Sequence, residues 1–234
     1  MKQAALTWEA EGLPRSTTYD DIYFSAGDGL AESRHVFLEA NQLPEAWLKT
    51  QRFTIAELGF GSGLNFLACW QSWNRTAPSH HELHFISFEK HPLSAEDIHR
   101  ALEPWPCLAD LKRSLLEQYP PPREGVHDLR FDTVRLSLIQ GDAALWLPRW
   151  SEPVDAWFLD GFSPKKNPDL WAPEIFAQVA RLSRRGTTLS SFTAAGQVRR
   201  NLARAGFAME IFPGFGRKRH MLRGRFKAGP IHQN

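Results

Sequence analysis

One stretch limits the fold more than any other. Ile55-Ala56-Glu57-Leu58 is a short apolar run, Gly59-Phe60-Gly61-Ser62-Gly63 follows with glycine at every second position, and Leu64-Asn65-Phe66 resumes an apolar pattern. Glycines between a strand and a helix let the backbone turn tightly and lie close against a ligand, with the helix N-terminal amides facing it. A plain strand-to-helix turn uses the same residues and stays open as the alternative. Spacing removes two nucleotide motifs: a P-loop needs Gly-Lys and then Ser or Thr, where this chain has Leu64-Asn65. A dinucleotide fingerprint needs its third glycine at the position that Leu64 occupies.

From Phe53 onward short apolar runs alternate with amphipathic ones, the pattern of a mostly parallel sheet wrapped by helices, and so an α/β fold. The predicted strands are 53–58, 83–88, 134–139, 154–159, 187–192 and 207–212, with 217–226 as a basic seventh strand. Pro213-Gly214-Phe215-Gly216 turns the chain before it, so a hairpin at that edge makes the last strand antiparallel. Ile175, Phe176, Val179 and Leu182 fall at helical spacing after Pro173, and Val198, Leu202 and Ala205 do so between a Thr193 cap and a Gly206 stop. Tyr119-Pro120-Pro121-Pro122-Arg123-Glu124-Gly125 cannot continue a helix and reads as a surface connection. Residues 1–52 read as a lead-in segment packed on the core, 53–226 as one domain and 227–234 as a tail.

Composition narrows the function classes. A chain of 234 residues that is 42% hydrophobic fills a single sizeable core. No apolar run approaches the roughly 18 residues of a membrane span, and Glu9 interrupts the N-terminus before any signal-like stretch. Cys69 and Cys107 have no metal-ligand spacing, so no metal is expected and a reducing cytoplasm is; no membrane partner and a monomer are the accompanying expectations. The net charge of +2 leaves any nucleic-acid affinity to local patches.

The Glu57-x-Gly59-x-Gly61-x-Gly63 form resembles motif I of the class I S-adenosylmethionine-dependent methyltransferases, which implies their Rossmann-like fold, here with a seven-stranded sheet. The resemblance implies cofactor contacts from Glu57, Gly59, Gly61, Gly63 and Asn65, ribose contacts from Glu89 after the second strand, and an adenine contact from Asp142 after the third. A carboxylate suits the ribose because it accepts two hydroxyl hydrogen bonds at once. Taken singly, Glu89 and Asp142 also read as an exposed strand-end acid or a helix N-cap.

The fourth strand ends in Asp160-Gly161-Phe162-Ser163-Pro164-Lys165-Lys166. Strand carboxyl ends border the ligand crevice of open α/β sheets, so this loop faces the methyl donor. Asp160 is suited to orient an acceptor nitrogen and help its proton leave, and Phe162 to pack on a flat base; a turn-tying role for Asp160 is the alternative. Together with Ser191-Phe192-Thr193-Ala194-Ala195-Gly196-Gln197-Val198, Tyr19-Asp20-Asp21-Ile22-Tyr23-Phe24 and Gly214-Phe215-Gly216-Arg217-Lys218-Arg219-His220, these motifs resemble the methyltransferase part of the bifunctional tRNA 5-methylaminomethyl-2-thiouridine biosynthesis family.

That resemblance covers nearly the whole chain. It implies methyl transfer from S-adenosylmethionine to the primary amine of 5-aminomethyl-2-thiouridine at the tRNA wobble position, with Asp160 and Phe162 at the amine. Lys165 and Lys166 beside that loop, and Arg217, Lys218 and Arg219 on the basic last strand, are the candidate tRNA contacts; a solvated charged edge strand is the alternative. With Arg223 and Arg225, the arginines at 217 and 219 share one face if the segment is extended. A flavin-dependent oxidase part begins in that family beyond where this sequence stops, and no second glycine-rich turn is present, so no flavin is expected here. A stand-alone enzyme and a piece of a longer protein both fit. Methylation of another amine, and a non-catalytic RNA-interaction module on the same fold, remain the competing functions.

Overall fold

The computed structural model describes residues 2–9, 12–25 and 28–227. In chain order its regular elements are β1 Leu6–Trp8, β2 Pro14–Ser16, β3 Asp21–Ile22, α1 Gly29–Ser33, β4 Arg52–Leu58, α2 Leu64–Thr76, β5 Glu82–Glu89, α3 Ala95–Ala101 and α4 Ala109–Gln118. They continue as β6 Gly125–Phe131, β7 Val134–Gln140, α5 Ala143–Trp146, β8 Val154–Leu159, α6 Pro173–Arg181, β9 Ser183–Ser191, α7 Gly196–Arg204, β10 Phe207–Pro213 and β11 His220–Phe226.

Strands β4, β5, β7 and β8 are buried along almost their whole length because both of their faces are covered, which is why they read as continuous apolar runs rather than alternating ones. They form the parallel centre of a sheet ordered β10-β11-β9-β8-β4-β5-β7-β6. Successive side chains go to opposite faces. Ile55, Phe85 and Phe158 join a core with α2, α4 and the segment 30–47, while Ala56, Ile86 and Trp157 join a second core with α5, α6 and α7. The chain builds β5 and β7 on one side of β4, then returns to lay β8 and β9 on the other. The β4–β8 boundary is therefore the topological switch point, where the carboxyl ends of the strands diverge into a crevice.

Residues before β4 are part of this packing. β1, β2 and β3 form a small antiparallel sheet, and Val36, Phe37, Leu38, Leu43 and Trp47 enter the first core, Trp47 with no exposed surface.

The structure corrects the sequence reading in four places. The main sheet has eight strands, not seven, among the described residues: β6 is an added edge strand, antiparallel to β7. Its outward positions Val126, Asp128 and Arg130 are exposed and two of them are charged, so Val126-His127-Asp128-Leu129-Arg130 carries little apolar signal after the three prolines. The last strand begins at His220 rather than Arg217, because residues 214–219 close a turn through Gly214 N–H to the Arg219 carbonyl and Lys218 N–H to the Phe215 carbonyl. β11 is antiparallel to both neighbours, yet it lies between β9 and β10 and leaves β10 at the edge. Thr193 does not cap α7: its hydroxyl accepts from Ala195 N–H at 3.2 Å, and Ala195 stands at the cap position.

Candidate active site

A cleft of about 530 Å³ opens at the switch point. Its floor is the glycine turn after β4. Gly59, Gly61 and Gly63 all have left-handed backbone, φ +97°, +55° and +76°. A Cβ on Gly59 would stand 2.5 Å from the Asp160 carbonyl oxygen, and one on Gly61 would stand 3.2 Å from the Tyr23 ring. The three glycines thus allow the turn to nest between β8 and the N-terminal segment, with their N–H groups held by the Phe88 carbonyl, the Glu89 carboxylate and the Phe60 carbonyl.

Glu89, at the end of β5, lines the cleft and accepts hydrogen bonds from Gly61 N–H at 2.9 Å and His91 N–H at 2.8 Å. Burial pushes this carboxyl up, and the backbone donors act against that. Asp142 lines the same wall one strand further on. It caps α5 through Ala144 N–H at 2.9 Å and pairs with Lys90 Nζ at 2.7 Å. Burial acts upward on Asp142, but the Lys90 hydrogen bond and charge and the Ala144 amide outweigh it, so the carboxyl lies below the usual carboxylate range. Asp142 thus caps α5 and also stands on the cleft wall.

Asp160 follows β8 directly and is tied into the sheet by its own N–H to the Leu58 carbonyl, 3.1 Å. Its carboxylate accepts from Asn65 Nδ2 at 2.6 Å. Asn65 is placed by the first turn of α2, and its second amide hydrogen goes to Glu57 Oε1 at 2.9 Å. Its side-chain oxygen accepts from the Ser33 hydroxyl. One amide thereby joins β4, β8, α1 and α2. Burial lifts the Asp160 carboxyl to about 7, with Asn65 and Lys218 acting downward and Glu32 upward.

Glu57 is a correction. It does not line the cleft, has no exposed surface, and uses both oxygens internally, on Asn65 and on the Ser87 hydroxyl at 2.6 Å. Burial drives its carboxyl well up. It supports Asn65 from behind, and the glutamate of a glycine motif carries no sign in sequence of which side it faces.

Phe162 forms an aromatic wall with Tyr19, stacked at 4.8 Å between ring centroids, and with Tyr23, edge-on at 5.1 Å. Trp171 Nε1 donates to the Phe162 carbonyl at 2.8 Å and fixes the loop. The N-terminal segment further supplies Glu32, Ser33 and Phe37 to the cleft. These residues escaped the sequence reading because nothing local links 19–37 to the strand ends; the only signal was the aromatic and acidic density of Tyr19-Asp20-Asp21-Ile22-Tyr23.

The basic candidates separate. Lys165, Arg217 and Arg219 are exposed. Lys166 is tied to Asp20 at 2.8 Å, Arg223 to Glu210 at 2.9 Å, and Arg225 to Gln42 at 2.7 Å. A continuous arginine face along 217–225 is thus absent, since 217–219 is a turn and the strand arginines are engaged. Lys218 turns into the cleft, bonds Glu32 at 2.8 Å and lies 4.9 Å over the Phe192 ring. No group of three metal-ligating side chains occurs among the described residues, and none of the described helices is long and apolar enough to cross a membrane.

Comparison with known proteins matches residues 106–227, just over half of the chain, to a family described as S-adenosyl-L-methionine-dependent methyltransferase. Among curated proteins, the tRNA 5-methylaminomethyl-2-thiouridine biosynthesis bifunctional protein MnmC of Pseudomonas fluorescens is 48% identical over 98% of this chain and 36% of its own length. That of Chromohalobacter salexigens is 50% identical over 96% of this chain and 33% of its own length. The chain thus spans about a third of the curated relatives it matches. Among solved structures, MNMC2 from Aquifex aeolicus superposes with a TM-score of 0.79 at 24% identity, over 98% of this chain and 72% of that one. Spermidine synthase from Thermotoga maritima follows at a TM-score of 0.56 and 11% identity, over 96% and 72%. Both likenesses concern the fold, a mixed α/β arrangement of the Rossmann-like methyltransferase kind.

Proposed function

Because the chain belongs to the S-adenosyl-L-methionine-dependent methyltransferases, we propose that the cleft methylates a primary amine on a tRNA base, the aminomethyl group of a wobble 5-aminomethyl-2-thiouridine. The observation that carries this reading is Asp160. It is a carboxyl on the cleft wall, held by one amide and lifted to about 7, beside the ring of Phe162. Relatives at 48–50% identity whose names place them in 5-methylaminomethyl-2-thiouridine biosynthesis support the same substrate.

The residues present fit the cofactor. Gly59 and Gly61 line the cleft without a side chain to fill it, Glu89 has acceptor capacity beyond the two backbone N–H groups that bond it, and Asp142 stands at the next strand end. Gly59, Gly61 and Asn65 would hold the methionine end, Glu89 the ribose and Asp142 the adenine side, while Gly63 shapes the turn behind them and does not line the cleft. Bound there, S-adenosylmethionine supplies an electrophilic methyl carbon on a sulfonium sulfur.

An alkylamine is mostly protonated near neutral pH and has no free lone pair. Asp160, poised near 7, accepts hydrogen bonds from the acceptor nitrogen and takes its proton, because a base works best when its own pKa lies near the operating pH. Asn65 keeps the carboxylate aimed, and Glu57 and Ser33 keep Asn65 aimed. Phe162 and Tyr19 offer a flat apolar face for the base that carries the amine. Lys165, Arg217 and Arg219 meet the tRNA backbone, with Lys166 joining on release from Asp20 and Lys218 reaching from the cleft mouth. In this reading the protein acts as a monomer, and a tRNA substrate sets the reaction in the cytoplasm.

Asp160→Ala tests the assignment. Methyl transfer should fall by at least about a hundredfold, the lower range for a lost acid–base group, with cofactor affinity by calorimetry close to wild type. Parallel loss of both would make Asp160 a cofactor contact.

A further inference from the structure

The cleft holds an ion pair that the proposed chemistry does not use. Glu32, on α1, is only 8% exposed, and its carboxylate is bonded by Lys218, which arrives from the opposite end of the chain on the turn 214–219. Both residues line the same cleft as Asp160. Lys218 also rests over the Phe192 ring just after β9. The turn has no comparable reason to reach inward: among the described residues Arg217 and Arg219 form no ion pair and remain at the surface.

The charges that face Asp160 come from three elements. Glu57 approaches from β4 and Glu32 from α1, both carboxyls, and Lys218 from the turn is the one cation among them. Among the described residues the neutral amide of Asn65, from α2, is the only group bonded to the carboxylate. Lys218 is half-exposed at the cleft mouth while Glu32 beneath it is buried, so removing the cation would leave acids facing one another, whereas removing Glu32 would leave the cation free to favour an ionised Asp160.

We propose that Glu32 and Lys218 are positioning residues that act on Asp160 with opposite sign, balancing the charge at the acceptor side of the cleft. The inference rests on the reading in which Asp160 handles the acceptor amine. Glu32 makes Asp160 a better proton acceptor once ionised, and Lys218 keeps enough of it ionised near neutral pH to act. The turn that carries Lys218 also carries two exposed arginines, so the acceptor's own docking surface is joined to the charge that sets its base.

The test uses two independent readouts on the full chain: the ¹³Cγ NMR titration of Asp160 in the free protein, and the pH profile of single-turnover methyl transfer to tRNA bearing the aminomethyl group. Lys218→Met, which keeps the stem, should move the Asp160 midpoint up by about half a pH unit or more, and Glu32→Gln down by a similar amount. The double variant should fall between the two, and Lys218→Arg should stay at wild type. The acid limb of the rate profile should follow each shift. Midpoints that stay fixed, or that move in the same direction in both single variants, overturn the proposal. Opposite shifts of the midpoint with an unmoved rate profile uphold the charge balance and overturn the role of Asp160 as the acceptor's base, so the two failures are told apart.

Discussion

Asp160, proposed as the base, is held in the folded state at a cost that depends on pH. Its folded carboxyl titrates at about 7, above the ordinary carboxylate value that the unfolded chain keeps. The folded state therefore holds a proton that the unfolded state has released across that window, and stability falls as pH rises from about 4 to about 7. Asp160→Asn keeps an acceptor for Asn65 and removes the charge. The variant should melt about 2–4 °C or more above wild type at pH 8, with the gain shrinking toward pH 4. Activity runs the other way, since the wild-type rate should climb as pH rises through about 7 and Asp160 becomes ionised. A stabilised, inactive variant at pH 8 and a rate with an acid limb near neutrality check the two signs together.

At the scale of elements, the strand–turn–helix from β4 to α2 is where sequence and structure agree for a stated physical reason. Gly59 can carry no side chain because its Cβ position lies 2.5 Å from the backbone oxygen of Asp160, and its φ is +97°. Gly59→Ala should lower the urea midpoint by an amount equivalent to about 1–3 kcal/mol, and should displace the Asp160 loop enough to weaken cofactor binding. Gly216→Ala is the matched control: φ is +57° and nothing lies within 4 Å, so it should lose about 1 kcal/mol or less from the backbone alone. Equal losses in the two variants would remove the close approach to Asp160 from the explanation.

The parallel strands were legible because burial on both faces forces continuous apolar sequence, as in Leu83 to Phe88. β6 was not, because an edge strand with one wet face needs only alternate apolar residues, and it supplies Leu129 and Phe131 after a weak start. Residues 217–219 read as the start of the last strand because a basic run resembles an exposed strand until the hydrogen bonds of the turn are known.

Across the whole molecule, the cleft is assembled from both ends of the chain. Strand-end acids were legible because the topology sends the carboxyl ends of the parallel strands to one edge of the sheet. The wall from Tyr19, Tyr23 and Glu32, the inward turn of Lys218 and the withdrawal of Glu57 were not, because they depend on contacts between residues far apart in sequence. The exposed arginines of the turn make a further claim at this scale. Arg217→Ala with Arg219→Ala should raise the Michaelis constant for tRNA several-fold, leave cofactor affinity unchanged and flatten the salt dependence by about two phosphate contacts. Unchanged tRNA kinetics and salt slope would move the docking surface elsewhere on the molecule.

The account stands most directly on one measurement: transfer of labelled methyl groups from S-adenosylmethionine, catalysed by this chain, to tRNA carrying a wobble 5-aminomethyl group. Unmodified tRNA and the free aminomethyl nucleoside run beside it. The cleft around Asp160 and Phe162, with its basic turn at the mouth, predicts one methyl group per modified tRNA, none on unmodified tRNA, and far slower transfer to the free nucleoside. Label on unmodified tRNA, or no transfer to the aminomethyl tRNA by protein that binds the cofactor, would contradict it.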